Sequence, residues 1–216
     1  MLLTLYDFLV FVHILLFVFW LGADMGVAVL GHHFRKRSYS MPERLTILKL
    51  LGIIDMFPRS AWALMVPLSV SLLAVGGYWT LTTEVILLFW LLGFGWLLLI
   101  WQIHLRSENP LITKLKKIEF VLKLLLASFY TLLGLASLYW NEPLSEYWLA
   151  TKSLLFGFIF LSAIMIDLRF RDLSPALMKL VEQGSTDETE AKTLKIMNRS
   201  RFWVRVVYIL LVITAF

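Results

Sequence analysis

Apolar residues along this chain fall in blocks of the length a lipid bilayer requires, about 20 residues, separated by short polar stretches. The blocks predict helices over residues 5–31, 42–76, 84–105, 117–140, 146–170 and 201–216. The last is short, and its apolar core, VVYILLVITAF, runs to residue 216. The predicted fold is all-α: a bundle of six transmembrane helices forming one domain over residues 1–216. Ser40 is the expected N-cap of the second helix, with Pro42 near its first position and Glu43 closing a capping box. That helix is longer than a bilayer is thick, so its first turns belong to the interface or the cytoplasm. Pro58 and Pro67 are its expected kinks. The turn GGYWTLTTE ends it. Residues 171–200 read as a polar segment whose acidic run, STDETE, is a solvated loop. No basic residue precedes the first block and no small-residue cleavage site follows it, so it reads as a retained helix and not a signal peptide.

Polar residues inside the blocks carry the information about function. The first block, FLVFVHILLFVFWLGADMGVAVLG, holds His13, Trp20 and Asp24. At roughly 100° per residue, Trp20 lies about 20° to one side of His13 and Asp24 about 20° to the other. The three share one helix face. An ionisable group turned to lipid costs about 2.5–3.5 kcal/mol on insertion scales, so this face is expected to point into the bundle.

Composition agrees with the pattern. The 216 residues are 60% hydrophobic and 16% charged, with a mean hydropathy of +0.80. Soluble domains are about 45–50% apolar and about 25% charged. The chain therefore reads as an integral membrane protein, with the lipid bilayer as its first partner. Its net charge of +5 is assigned to basic loops, not to nucleic acid. With no cysteine, disulfides, thiolate metal sites and covalent c-type haem are excluded. Of the 20 basic residues, 15 lie in three loops: after the first, third and fifth predicted helices. The loops near Thr80 and Asn141 hold none. The positive-inside rule then places the basic loops in the cytoplasm and both termini on the outer, periplasmic side. Trp79, Trp140, Tyr147 and Trp148 would form the outer aromatic belt.

Orientation gives each polar group a depth. His13 and Lys152 fall in a sparse outer layer. Asp24 is eleven residues farther along than His13, about 16 Å along the axis, and joins a richer inner layer with Asp55, Arg59, Asp167 and Arg205. Asp55 and Arg59, spaced i, i+4, can pair on one face. A neutral imidazole among Phe, Trp and Leu is what a b-type haem needs as its axial ligand, and Gly22 and Gly26 would let a flat ring approach. The competing reading of His13 is a hydrogen bond to a neighbouring helix. His104 lies too deep to share an iron with His13, and His32 and His33 flank the basic loop as solvated groups. Lys152, water or nothing would be the sixth ligand. An Asp24–Arg59 pair would fix the register of two helices, relay protons, or use Arg59 to anchor haem propionates. Pro58, beside Arg59, would free a carbonyl there. Gly93 and Gly95 are spaced too closely for a GxxxG dimer face, and Lys123 is expected to snorkel to the cytoplasmic interface.

The pattern His13-x6-Trp20-x-Gly22 in a first helix resembles the opening helix of the copper-resistance D-type membrane proteins, of HemJ-type protoporphyrinogen oxidases and of the membrane domains of some urate oxidases. WLATKSLLFGFIF, with Lys152 early in a later helix, is similar to a second feature of that group. WLGADMGVAVLG followed by DMFPR resembles a narrower set of bacterial inner-membrane proteins. The likeness is strongest over residues 8–70. It implies a b-type haem held through His13 and Lys152. The chain departs from the HemJ-type pattern in having six predicted helices rather than four and in carrying Asp24.

The sequence thus points to a multi-pass protein of the bacterial inner membrane that binds haem b through His13, its metal ligand. Trp20, Gly22, Arg59 and Lys152 would surround the cofactor. Its role would be electron transfer or another oxidoreductase reaction, with a redox partner, a quinone or a porphyrin. The alternative is a small transporter or an ion or proton pathway using Asp24, Asp55 and Arg59 with no cofactor. A third reading is a non-catalytic assembly subunit of a membrane complex.

Overall fold

Long apolar blocks with few breakers fold as helices, because a backbone removed from water must satisfy its own N–H and C=O groups. In the computed structural model, which describes residues 4–106 and 111–216, these helices are α1 (Leu5–Phe34), α2 (Met41–Ile54), α3 (Met56–Val75), α4 (Thr83–Leu105), α5 (Ile112–Trp140), α6 (Tyr147–Phe170), α7 (Leu173–Gln183) and α8 (Asp187–Ala215). The described residues contain no strand. Five stretches are long and apolar enough to cross a membrane: Leu5–Phe34, Met41–Val75, Thr83–Leu105, Ile112–Trp140 and Tyr147–Gln183. The protein is an all-α, multi-pass membrane protein. α1 shows the consequence most plainly, since Phe8, Phe11, Val18 and Met25 all face outward from it.

Three expectations need correction. The helix expected over 42–76 is interrupted at Asp55 and forms α2 and α3. Pro58 is the cause: it has no N–H to give the carbonyl of Ile54, where α2 stops. Asp55 itself keeps helical angles (φ −60°, ψ −19°), so the helical path continues through the break. The polar segment 171–200 is also largely helical, forming α7 and the first half of α8. The short helix expected over 201–216 is the second half of a 29-residue helix. Thr186 starts it with a capping box in which its hydroxyl accepts from the Thr189 N–H at 3.3 Å and the Thr189 hydroxyl accepts from the Thr186 N–H at 3.0 Å. Of the capping box expected at Ser40 only the Glu43 half is present: its carboxylate accepts from the Ser40 N–H and hydroxyl at 2.7 Å each, so the hydroxyl is a donor and not the acceptor a cap requires.

The residues sort into two compact units. Of the described residues, the first comprises 4–34, 46–106, 111–119 and 143–146, and the second 35–45, 120–142 and 147–216. In the first unit α3 packs against both α1 and α4. Pro67 inside α3 leaves the Ala63 carbonyl without its usual donor, and Gly93 of α4 sits against both. A β-carbon at Gly93 would lie 2.6 Å from the Pro67 ring and 3.2 Å from the Ala63 oxygen. In the second unit α8 packs against α6 and α7. α5 meets α6 through Gly134 and Gly157, where added β-carbons would come within 2.5 Å of the Leu154 nitrogen and 2.7 Å of the Thr131 nitrogen. Small residues let two backbones approach where lipid supplies no hydrophobic driving force. Ser153 adds a hydrogen bond to the Tyr130 carbonyl at 3.0 Å.

Candidate intramembrane polar site

The polar face of α1 is the starting point. Seven residues on from His13, Trp20 is 4% exposed and its ring lies 5.7 Å from that of Trp62 on α3. Trp62 in turn meets Trp96 of α4 edge-on at 5.0 Å. Three buried indoles therefore tie α1, α3 and α4 together, which gives Trp20 a packing role beside any role at a cofactor. Trp20 also shares a hydrogen bond with the carboxylate of Asp24, one turn along, its indole N–H being the donor. Asp24 lies within electrostatic range of Asp55 and Arg59. Arg59 Nε donates to Asp55 Oδ2 at 2.6 Å, the i, i+4 pair expected. The first unit thus brings Asp24, Asp55 and Arg59 together near the break between α2 and α3. The set holds two carboxyl groups and one guanidinium.

His13 sits on the same unit, half-buried, with Nδ1 turned into protein. Gly22 faces outward, and a β-carbon there would meet nothing within 4 Å. Beside the break lies an apolar groove of about 350 Å³ lined by Ile53, Met56, Phe57, Trp101, His104 and Leu105. Trp101 donates from Nε1 to the Ser60 hydroxyl at 3.2 Å and meets His104 edge-on.

The other predicted site residues belong to the second unit. Lys152 lies over the ring of Trp148 at 5.4 Å. Asp167, expected in the inner acidic set, accepts from Lys123 Nζ at 2.9 Å. Lys123 is 4% exposed, so it does not snorkel, because Asp167 supplies its counter-charge inside the unit. Arg205 is exposed on α8 and adds nothing to a buried cluster.

Sequence reasoning missed the most enclosed ion pair. Arg44, counted among the basic loop residues, is 2% exposed, and Glu190, from the acidic run read as a solvated loop, is 0% exposed. Nη1 and Nη2 of Arg44 donate to the two carboxylate oxygens of Glu190 at 2.5 and 3.2 Å, and the Ser185 hydroxyl donates at 2.6 Å. Burial alone would raise the Glu190 carboxyl, but the bonds from Arg44 and Ser185 and the charges of Arg44 and Arg37 outweigh it and hold the group below its ordinary range. Arg37 and Asp187 form an exposed pair beside it at 2.6 Å. The signal was present in the sequence: Thr186 followed by Asp187, Glu188 and Glu190 is the composition of a helix first turn.

Among the described residues, no three His, Asp or Glu side chains stand together as metal ligands. A b-type haem needs an axial nitrogen, an apolar slot and partners for its propionates. His13 can offer the first. Arg59, expected to anchor propionates, is engaged by Asp55, and Lys152 belongs to the other unit. No protein-family model, curated protein or solved structure matches this chain.

Proposed function

We propose that the first unit carries a proton or a small monovalent cation through a bacterial inner membrane, with Asp24, Asp55 and Arg59 as its intramembrane station. One observation carries the reading: two carboxyl groups stand with a single arginine where α2 gives way to α3, Asp55 in an ion pair with Arg59 and Asp24 within electrostatic range of both. Acids in membrane segments mark proton and ion pathways. Pro58 adds a carbonyl without its usual helical donor, that of Ile54, beside these groups. The basic loops lie in the cytoplasm and both termini outside, which the distribution of Arg and Lys supports.

The test is a flux measurement. Full-length protein in liposomes, with a pH dye inside and a potassium-diffusion potential, should show proton entry. Asp24→Asn should lower the rate at least about tenfold, while Asp167→Asn should leave it near wild type. A wild-type protein that moves neither protons nor sodium nor potassium would overturn the proposal.

A second reading keeps haem b with His13 as the axial ligand and a redox role toward a quinone or porphyrin. The half-buried imidazole of His13 on an apolar helix favours it, because the iron takes an axial nitrogen in an apolar slot. Bound haem would supply one-electron chemistry. Visible spectra of the purified protein, oxidised and reduced, beside His13→Ala separate the readings: a Soret band lost in the variant supports haem, and a colourless wild type expressed with ample haem eliminates it.

A further inference from the structure

In the second unit, Arg35 and the middle of α8 carry charges of one sign. Arg35 is the first residue after α1, which ends at Phe34. α8 is polar from Asp187 to Ser200 and almost wholly apolar from Val206 onward, with Arg201 and Arg205 at the change, one turn apart on one face. Arg35 and Arg201 lie within electrostatic range of each other. An apolar-to-polar change on a helix marks the membrane–water interface. The aromatic pair Phe202–Trp203 at the same level, with Phe202 62% exposed, is the composition such a level selects.

The charges at this place are of one sign. Among the described residues, neither Arg35, Arg201 nor Arg205 makes a salt bridge, whereas nearby Arg37 and Arg44 are each taken up by an acid of α8. Arg35 is half-buried. Its burial, and then the charge of Arg201, work against its protonated form. Holding like charges together without an acid is unfavourable unless an anion completes the set. Arginine forks fit phosphate oxygens at two points, and the aliphatic parts of the side chains with Phe202 suit the acyl chains below.

We propose that Arg35, Arg201 and Arg205 form a binding site for the phosphate of an anionic phospholipid. The leaflet, the cytoplasmic one, rests on the orientation proposed above, but the site itself does not, and it is independent of proton or haem chemistry.

The experiment is native mass spectrometry of the full-length protein released from mixed phosphatidylglycerol and phosphatidylcholine micelles. The wild type should retain phosphatidylglycerol in preference. Arg201→Gln should lower that preference about fivefold, and Arg35→Gln/Arg201→Gln should lower it further. Lys195→Gln/Arg199→Gln removes equal charge from the polar half of α8 and should leave the preference unchanged. Arg201 is exposed, so its single variant retains the fold, which gel filtration checks. Equal loss in the control pair would reduce the effect to general charge attraction and overturn the site. Displacement of the lipid by millimolar inorganic phosphate would assign the site to a free anion and overturn the lipid.

Discussion

Arg44 and Glu190 grip each other at two points, although 146 residues separate them and each side chain is almost wholly enclosed. Breaking one side of such a pair strands the other charge. Glu190→Gln or Arg44→Ala should lower stability by about 3–5 kcal/mol, read as a fall in the thermal midpoint in mild detergent. Replacing both, as Arg44→Met with Glu190→Leu, should restore most of that loss. The double variant matching the worse single variant would show that the pair contributes through packing alone.

The same pair sets an acid limit. The folded carboxyl of Glu190 is held below the ordinary glutamate value of 4.5. Its contribution is therefore complete above that value and disappears as pH falls through the lower, folded one. The thermal midpoint of the wild type should drop over this acid window more steeply than that of Glu190→Gln. Parallel acid profiles for the two proteins would remove Glu190 as the cause.

Close helix contacts give a third expectation. Gly157→Ala pushes a methyl group into the backbone of α5 at Thr131 and should cost about 1–3 kcal/mol. Gly22→Ala meets open space and should leave stability within about 0.5 kcal/mol or raise it. Equal effects at both positions in a denaturant titration would contradict the packing described for α5 and α6.

Thr186→Ala removes the hydroxyl that closes the N-terminus of α8. A loss of about 0.5–2 kcal/mol is expected, with faster hydrogen exchange confined to the amides of residues 187–190. Unchanged exchange there would mean that the Glu190 contacts hold the turn without its cap.

Apolar length and breaker positions foretold most of the fold. The ends of α4, α5 and α6 follow from GGYWTLTTE and from the polar stretches around the helices, and the Glu43 half of the box at Ser40 was visible as Ser-x-x-Glu. The break at Asp55 was half visible: Pro58 announced an interruption, but the helix breaks at the donor-less carbonyl one turn earlier. What the polar stretch hid was how far α8 extends: its acidic first turn was legible, but the residues that follow it are mostly polar, and polarity without a clear apolar period reads as loop. Within the candidate site, i, i+4 spacing announced Asp55–Arg59 and the shared face of Trp20 and Asp24. The partners of Lys123 and Glu190 lie 44 and 146 residues away, which no local pattern encodes.

α8 joins two environments in one uninterrupted rod, about 43 Å long at 1.5 Å per residue. Its ends are consequently phased to each other. One residue inserted near Asn198 would turn the lower half by about 100° relative to the upper. Glu190 could then still meet Arg44 only if Val207 and Leu211, now buried, were swung out of their packing. The helix acts as a fixed-length gauge between the aqueous clamp and the apolar interior, so evolution can vary its surface far more readily than its residue count.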